Sequence, residues 1–190
     1  MLCMTAAPVS EAAVREQAVF GGGCFWAFQA EFEMLRGVDS AVPGYAGGNK
    51  ANPTYDEVCA GDTGHAEVIQ VTFDPKVISY QTLLRAFFGA HDPTSLDRQG
   101  PDSGSQYHSI ILPANQAQVL TARKLVTELT AAKAHPKPIV TEIKRLQRFY
   151  PADEHHLHYY AKHPDEPYTR HVVAKEVAHF RKLFGPLLVR

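Results

Sequence analysis

A chain of 190 residues with 45% hydrophobic and 21% charged residues has the make-up of one globular domain, which excludes a multidomain machine and a mainly disordered chain. Its net charge of −1 gives no overall field to hold nucleic acid or an anionic membrane, and no stretch approaches the roughly 18 apolar residues of a membrane helix. The charge is uneven, with 6 Lys and Arg against 12 Asp and Glu in residues 1–100 and 13 against 8 in residues 101–190. The surface is therefore expected to be polarised, either as a solvated basic half or as a face for a charged partner.

Along the chain, residues 1–16 read as a flexible N-terminal leader and residues 17–190 as a single domain with a C-terminal helical tail. The run from Met1 to Pro8 has no basic segment followed by an apolar one, so no secretory signal is read there. Residues 16–20 form a short strand ended by Gly21-Gly22-Gly23. A helix follows, with Phe28, Phe32 and Leu35 on its apolar stripe and Gln29, Glu33 and Arg36 on the polar side, stopping at Gly37. Residues 38–42 make a second strand leading into a loop at 43–48, and 49–64 are rich in turns. Residues 65–73 alternate cleanly as a strand with Glu67, Ile69, Val71 and Phe73 on one face. Ser79 caps a helix closed by Gly89, and its stripe is Tyr80, Leu83, Leu84, Phe87 and Phe88. A long polar loop covers 91–106. Then come a strand over 107–112, a helix over 115–132, a strand over 139–146, a short helix over 153–163 and a final helix marked by Val173, Val177, Phe180 and Phe184. One-sided strands alternating with helices predict an α+β two-layer sandwich, with helices packed on a mixed or antiparallel sheet.

The three cysteines Cys3, Cys24 and Cys59 are odd in number and widely spaced. That is no disulfide framework, and with no signal segment it fits a reducing, cytoplasmic compartment. The absence of a CxxC pair speaks against a zinc ribbon or a thioredoxin-type dithiol. Cys24 stands out because a strand ends, three glycines turn, and a helix begins beside it. Unpaired helix N–H groups and the positive end of the dipole favour a thiolate at such a place. The bland alternative is a small buried apolar residue. Phe25 and Trp26, the only Trp, read either as core or as the apolar wall of a pocket.

Glu67 is the second anomaly. A carboxyl on a core-facing strand face should be held protonated and so serve as a general acid, unless it sits past the rim of the sheet in solvent. Tyr55 and Tyr107, in polar loops, can aim hydroxyls at a ligand oxygen. Two rivals remain. One is a cysteine hydrolase or acyltransferase pairing Cys24 with a histidine such as His65 or His91. The other is a metal-binding module on His155, His156, His158 and His163.

Taken together, GGGCFW (21–26), GYAGG (44–48), NPTYDEVCAGDTGHAE (52–67), HDPTSLDRQGPDSGSQYHS (91–109) and FYPADEHHLHYYAKHP (149–164) resemble the peptide methionine sulfoxide reductase A family. That family reduces the S epimer of methionine sulfoxide. The resemblance implies a two-layer α+β fold with a ferredoxin-like core, no bound cofactor or metal, and an external reductant: thioredoxin, glutaredoxin with glutathione, or dithiothreitol. It implies oxidised proteins or peptides as partners, no nucleic acid, no membrane, and a monomer. By resemblance Cys24 attacks the sulfoxide sulfur and Glu67 protonates the departing oxygen. Tyr55 and Tyr107 donate hydrogen bonds to that oxygen, and Asp102 helps bind substrate and order the site. Phe25 and Trp26 hold the substrate methyl group, with His156 in support.

The chain departs from the family pattern at Ala27 and Gln29, where altered packing is expected. It departs again after Pro167-Tyr168, where Thr169 stands in place of the resolving cysteine of many members. No tail disulfide can then form, and Cys24 is expected to be regenerated by external thiols or by Cys3.

Overall fold

The computed structural model describes residues 14–189. Cys3 and nearly all of the expected leader lie outside the described residues. In chain order the elements are β1 (Glu16–Gly21), α1 (Phe25–Glu33), β2 (Val38–Ala46), α2 (Tyr55–Ala60), β3 (Ala66–Phe73), α3 (Tyr80–Ala90), β4 (Arg98–Gln99), β5 (Asp102–Ser103), β6 (Ile110–Ile111), α4 (Gln116–Ala131), β7 (Glu142–Ile143), β8 (Phe149–Pro151), α5 (Tyr159–Lys162) and α6 (Ala174–Phe184). Six strands form one sheet in the order β7-β6-β1-β3-β2-β8. Every pairing in it is antiparallel except β6 with β7. This is the α+β architecture expected, a mostly antiparallel sheet with helices packed on it.

The period-two alternation of the strands decides what each face buries. Ala18 and Phe20 of β1 and Ile69, Val71 and Phe73 of β3 face the helices, where Phe28, Phe32, Leu83, Phe87 and Phe180 complete the main core. Val19, Val68, Ile110 and Leu112 face the other way, into a smaller cluster covered by Leu146 and Phe149. Phe20 lies at the centre of the larger core, its ring 5.3 Å from Phe87 and 5.6 Å from Phe32. Burying each such side chain contributes about 1.5–3 kcal/mol. Glu67 is thus on the helix-facing side of β3, as the alternation implied.

Several local expectations need correction. The expected loop at 43–48 is strand as far as Ala46, because Gly44 lets the backbone of β8 approach. A Cβ on Gly44 would sit 2.4 Å from the Tyr150 carbonyl oxygen. The turn-rich stretch at 49–64 contains α2, started by a capping box in which Thr54 and Glu57 satisfy each other's backbone N–H groups. The strand expected over 139–146 shrinks to β7. The helix expected over 153–163 is broken at His158, whose φ is +55°. Gln29, placed on the polar stripe of α1, is instead buried. Its side-chain N–H group donates to the Ala41 carbonyl at 2.9 Å, and its carbonyl oxygen accepts from the His158 backbone at 2.8 Å. Gln29 therefore ties α1 to β2 and to the segment that carries His156 and Tyr159, which is more than a packing change. Among the described residues no helix is long and apolar enough to cross a membrane.

Candidate active site

The site begins where β1 stops. A Cβ on Gly21 would lie 2.4 Å from the Glu67 carbonyl oxygen, so only glycine lets β1 run this close to β3. Gly23 has φ +135°, and a Cβ there would meet the Gln99 side chain at 2.7 Å. The turn so made leaves Cys24 as the N-cap residue of α1 in extended conformation. The first backbone N–H of the helix, that of Phe25, donates to Glu67 Oε2 at 3.1 Å. The helix N-terminus thus holds the carboxyl beside the thiol rather than serving the thiol alone.

One cavity of about 310 Å³ brings together Cys24, Glu67, Tyr55, Tyr107 and Asp102, with Phe25 and Trp26 as its apolar wall. These residues come from α1, α2, β3, β5 and the turn after it, so the sheet and its loops converge on the N-terminus of α1. Two further residues complete the lining, Glu166 and Tyr168, and sequence reasoning missed both. The Pro167-Tyr168 pair was visible in the sequence, but nothing local signals that it packs against residue 24. The Tyr168 hydroxyl donates to Asp102 Oδ2 at 2.5 Å, and its side chain lines the same cavity as the Cys24 sulfur.

Electrostatics correct one expectation. Cys24 is 7% exposed, and its thiol is pushed well above the usual range, first by burial and then, at pH values where Glu67 is ionised, by the charge of that carboxylate. The Trp26 backbone N–H and the Tyr168 hydroxyl pull the other way but do not offset burial. The resting group is a thiol and not the thiolate that the helix N-terminus alone would favour. Glu67, 2% exposed, is pushed up to about 8 by burial, against the Phe25 N–H and with a further push from Asp102. It is therefore mainly a neutral carboxylic acid at pH 7. Tyr55 and Tyr107 are pushed upward by burial and by Glu67, so both phenols stay protonated as hydrogen-bond donors.

The apolar wall is braced from behind. Trp26 stacks on Tyr159 with ring centres 3.8 Å apart and planes 9° from parallel. Its indole N–H donates to His156 Nδ1 at 3.2 Å. His156 also packs on Phe25 at 5.1 Å and on Tyr55 at 4.7 Å. It is buried and pushed down to about 4 by burial, so it stays neutral. His156 does not line the cavity; it sets the rings that do.

Neither histidine of the hydrolase rival reaches Cys24. His91 has Nδ1 on the Phe87 carbonyl at 2.8 Å and Nε2 on Ser109 Oγ at 2.7 Å. His65 Nδ1 accepts from the Gly48 N–H, and its Nε2 meets the Lys50 carbonyl. Among the described residues no group of three His, Cys, Asp or Glu side chains is placed to hold a metal. Cys59 is exposed one turn along α2 from Tyr55. Thr169, just after Tyr168, is fully buried, and the single proton of its hydroxyl is shared between the carbonyls of His163 at 2.5 Å and Glu166 at 3.0 Å.

The model of a family described as peptide methionine sulfoxide reductase matches residues 16–186. Peptide methionine sulfoxide reductase MsrA of Granulibacter bethesdensis is 52% identical over 167 residues, covering 88% of this chain and 90% of that one. The enzyme of the same name from Thermus thermophilus is 50% identical over 173 residues, covering 91% and 97%. Among solved structures, reduced Mxr1 from Saccharomyces cerevisiae superposes with a TM-score of 0.76 at 32% identity, covering 82% of this chain and 90% of that one; Mxr1 has also been solved in complex with Trx2. This chain belongs to the peptide methionine sulfoxide reductase A family and is an oxidoreductase acting on methionine sulfoxide.

Proposed function

We propose that the protein reduces the S epimer of methionine sulfoxide, free or within a peptide, with Cys24 as nucleophile. The observation that carries this reading is one cavity in which a thiol, a neutral carboxylic acid and two phenol donors meet an apolar wall. The substrate methyl group rests against Phe25 and Trp26, and Asp102 orders the polar side. As sulfur attacks sulfur, the sulfoxide oxygen gains negative charge. Tyr55 and Tyr107 stabilise that charge and Glu67 delivers a proton to the oxygen. A donor so placed lowers a barrier by about 3 kcal/mol in other enzymes. The oxygen ends on Cys24 as a sulfenic acid, the methionine sulfur having gained two electrons.

An assay on separated epimers tests this. Turnover of S alone, and none by Cys24→Ser, is the expected result; equal turnover of both epimers would refute the reading.

We read the sulfenic acid as reduced from outside, since Thr169 occupies the tail position and the given sequence has no cysteine after Cys59. A thioredoxin-type dithiol fits, in line with the Mxr1–Trx2 complex. Glutathione with glutaredoxin, or dithiothreitol in vitro, can supply the same two electrons, and the cytoplasm is the compartment that keeps such thiols reduced. The chain is read as working with one cysteine. A Cys3→Ser, Cys59→Ser double variant is therefore expected to keep its turnover with glutathione plus glutaredoxin. Collapse of that turnover would assign the resolving role to Cys3 or Cys59.

A further inference from the structure

We propose that Tyr168 and Asp102 form a proton relay that ionises Cys24 as it attacks. The proposal rests on the reading of Cys24 as the nucleophile and adds the missing base. A buried thiol next to a buried acid needs somewhere to send its proton. Six side chains with titratable groups share the cavity with Cys24: Glu67 from β3, Tyr55 from α2, Asp102 from β5, Tyr107 from the turn after it, and Glu166 and Tyr168 from the tail. Among the described residues no histidine lines it. Glu67 already carries a proton near neutral pH and so cannot accept another. Tyr55 and Tyr107 are neutral donors. Two acceptors remain: Glu166 is exposed and accepts from the Tyr159 hydroxyl at 2.8 Å, whereas Asp102 is half-buried and holds the hydroxyl of Tyr168, which lines the cavity beside the thiol.

The geometry gives the direction of transfer. The single Tyr168 proton is committed to Asp102 Oδ2 at 2.5 Å, a charge-assisted bond. The phenol oxygen keeps its lone pairs free for the Cys24 S–H. During attack the thiol proton bonds to the Tyr168 oxygen, the Tyr168 proton passes to the Asp102 carboxylate, and the S–H electron pair stays on sulfur. Tyr168 ends neutral, Asp102 ends as a carboxylic acid, and no redox partner is needed. Burial already pushes Asp102 upward, which makes it a better base. Tyr168 is held in place by its neighbour: Thr169, buried and bonded to two carbonyls, fixes the turn that carries it.

The test reads thiol reactivity without any sulfoxide, so its failure is separate from failure of the reductase reading. In a Cys3→Ser, Cys59→Ser background, alkylation of Cys24 by iodoacetamide is followed at pH 7 by mass spectrometry, with near-ultraviolet circular dichroism to confirm folding. Tyr168→Phe and Asp102→Asn are each expected to slow alkylation at least about tenfold, and the combined variant is expected to be no slower than either. Charge alone predicts the reverse for Asp102→Asn, because removing a negative neighbour eases ionisation of the thiol. An Asp102→Asn rate at or above that of the background overturns the relay. So does an unchanged Tyr168→Phe rate, or an Asp102→Asn effect as large in the Tyr168→Phe variant as with Tyr168 present. Should Tyr168→Phe fail to fold, the sign of the Asp102→Asn effect decides alone.

Discussion

Replacing Glu67 by Gln is expected to lower turnover of the S sulfoxide by about 10²- to 10⁴-fold at pH 7, the usual worth of a general acid. The substitution is clean because the amide can keep the architecture. Its oxygen can accept the Phe25 N–H that now reaches Glu67 Oε2, and its NH₂ group can still offer a hydrogen bond to the cavity. What it cannot do is transfer a proton. The wild-type pH profile should therefore fall as pH rises through about 8, where Glu67 ionises, whereas the Gln variant should show no fall there from this group. Stability follows the same sign. A carboxyl whose pKa is raised on folding supports the fold fully below its unfolded value, near 4.5, and withdraws that support as pH climbs through the folded value. The Gln variant should lose less of its melting temperature between pH 5 and pH 9 than the wild type. Wild-type turnover by the variant at pH 7 would remove Glu67 from the chemistry.

Glu31→Leu is expected to stabilise the protein by about 1–3 kcal/mol at pH 7, the typical cost of a buried polar group with no partner. Glu31 lies on α1, 1% exposed, and neither carboxyl oxygen has a hydrogen-bond partner among the described residues. Burial pushes it well upward, and Glu176 of α6 adds to the push; Glu176 itself is raised to about 7, chiefly by burial. A leucine fills much of the same space and removes the penalty. For a chain of this size the gain corresponds to about 2–4 °C per kcal/mol. The advantage should widen with pH above about 4.5, the ordinary carboxyl value, since the wild type then has to ionise Glu31 inside the protein or keep it protonated at a cost. A melting temperature at pH 7 below that of the wild type would contradict this account.

The parts of this enzyme that can be read from its sequence are those fixed by short-range pattern. Gly21-Gly22-Gly23 between an apolar strand and Phe25-Trp26 marks the turn that presents Cys24, and alternation along β3 puts Glu67 on the core face. The motifs around Tyr55, Asp102 and Tyr107 carry the family resemblance, and the cavity gathers all of them. What could not be read depends on contacts between distant segments. β6, β7 and β8 are two or three residues long and exist through pairing rather than periodicity. Gln29 reads as polar surface until Ala41 and the His158 backbone close over it. The resting state of Cys24 escapes the sequence for the same reason. The helix N-terminus is local and visible, whereas burial and the charges of Glu67 and Asp102 come from the rest of the fold. Tyr168 stands 144 residues along the chain from Cys24 by its number, and no spacing rule joins them.

That separation has a consequence during biosynthesis. One side of the wall over the thiol is supplied by Glu166 and Tyr168, so the ribosome must translate most of the message before the pocket closes. A nascent chain that has folded its sheet but not yet released residue 168 from the exit tunnel carries Cys24 with one side open. Premature termination beyond β8 would leave an exposed, oxidant-accessible sulfur in place of a finished catalyst.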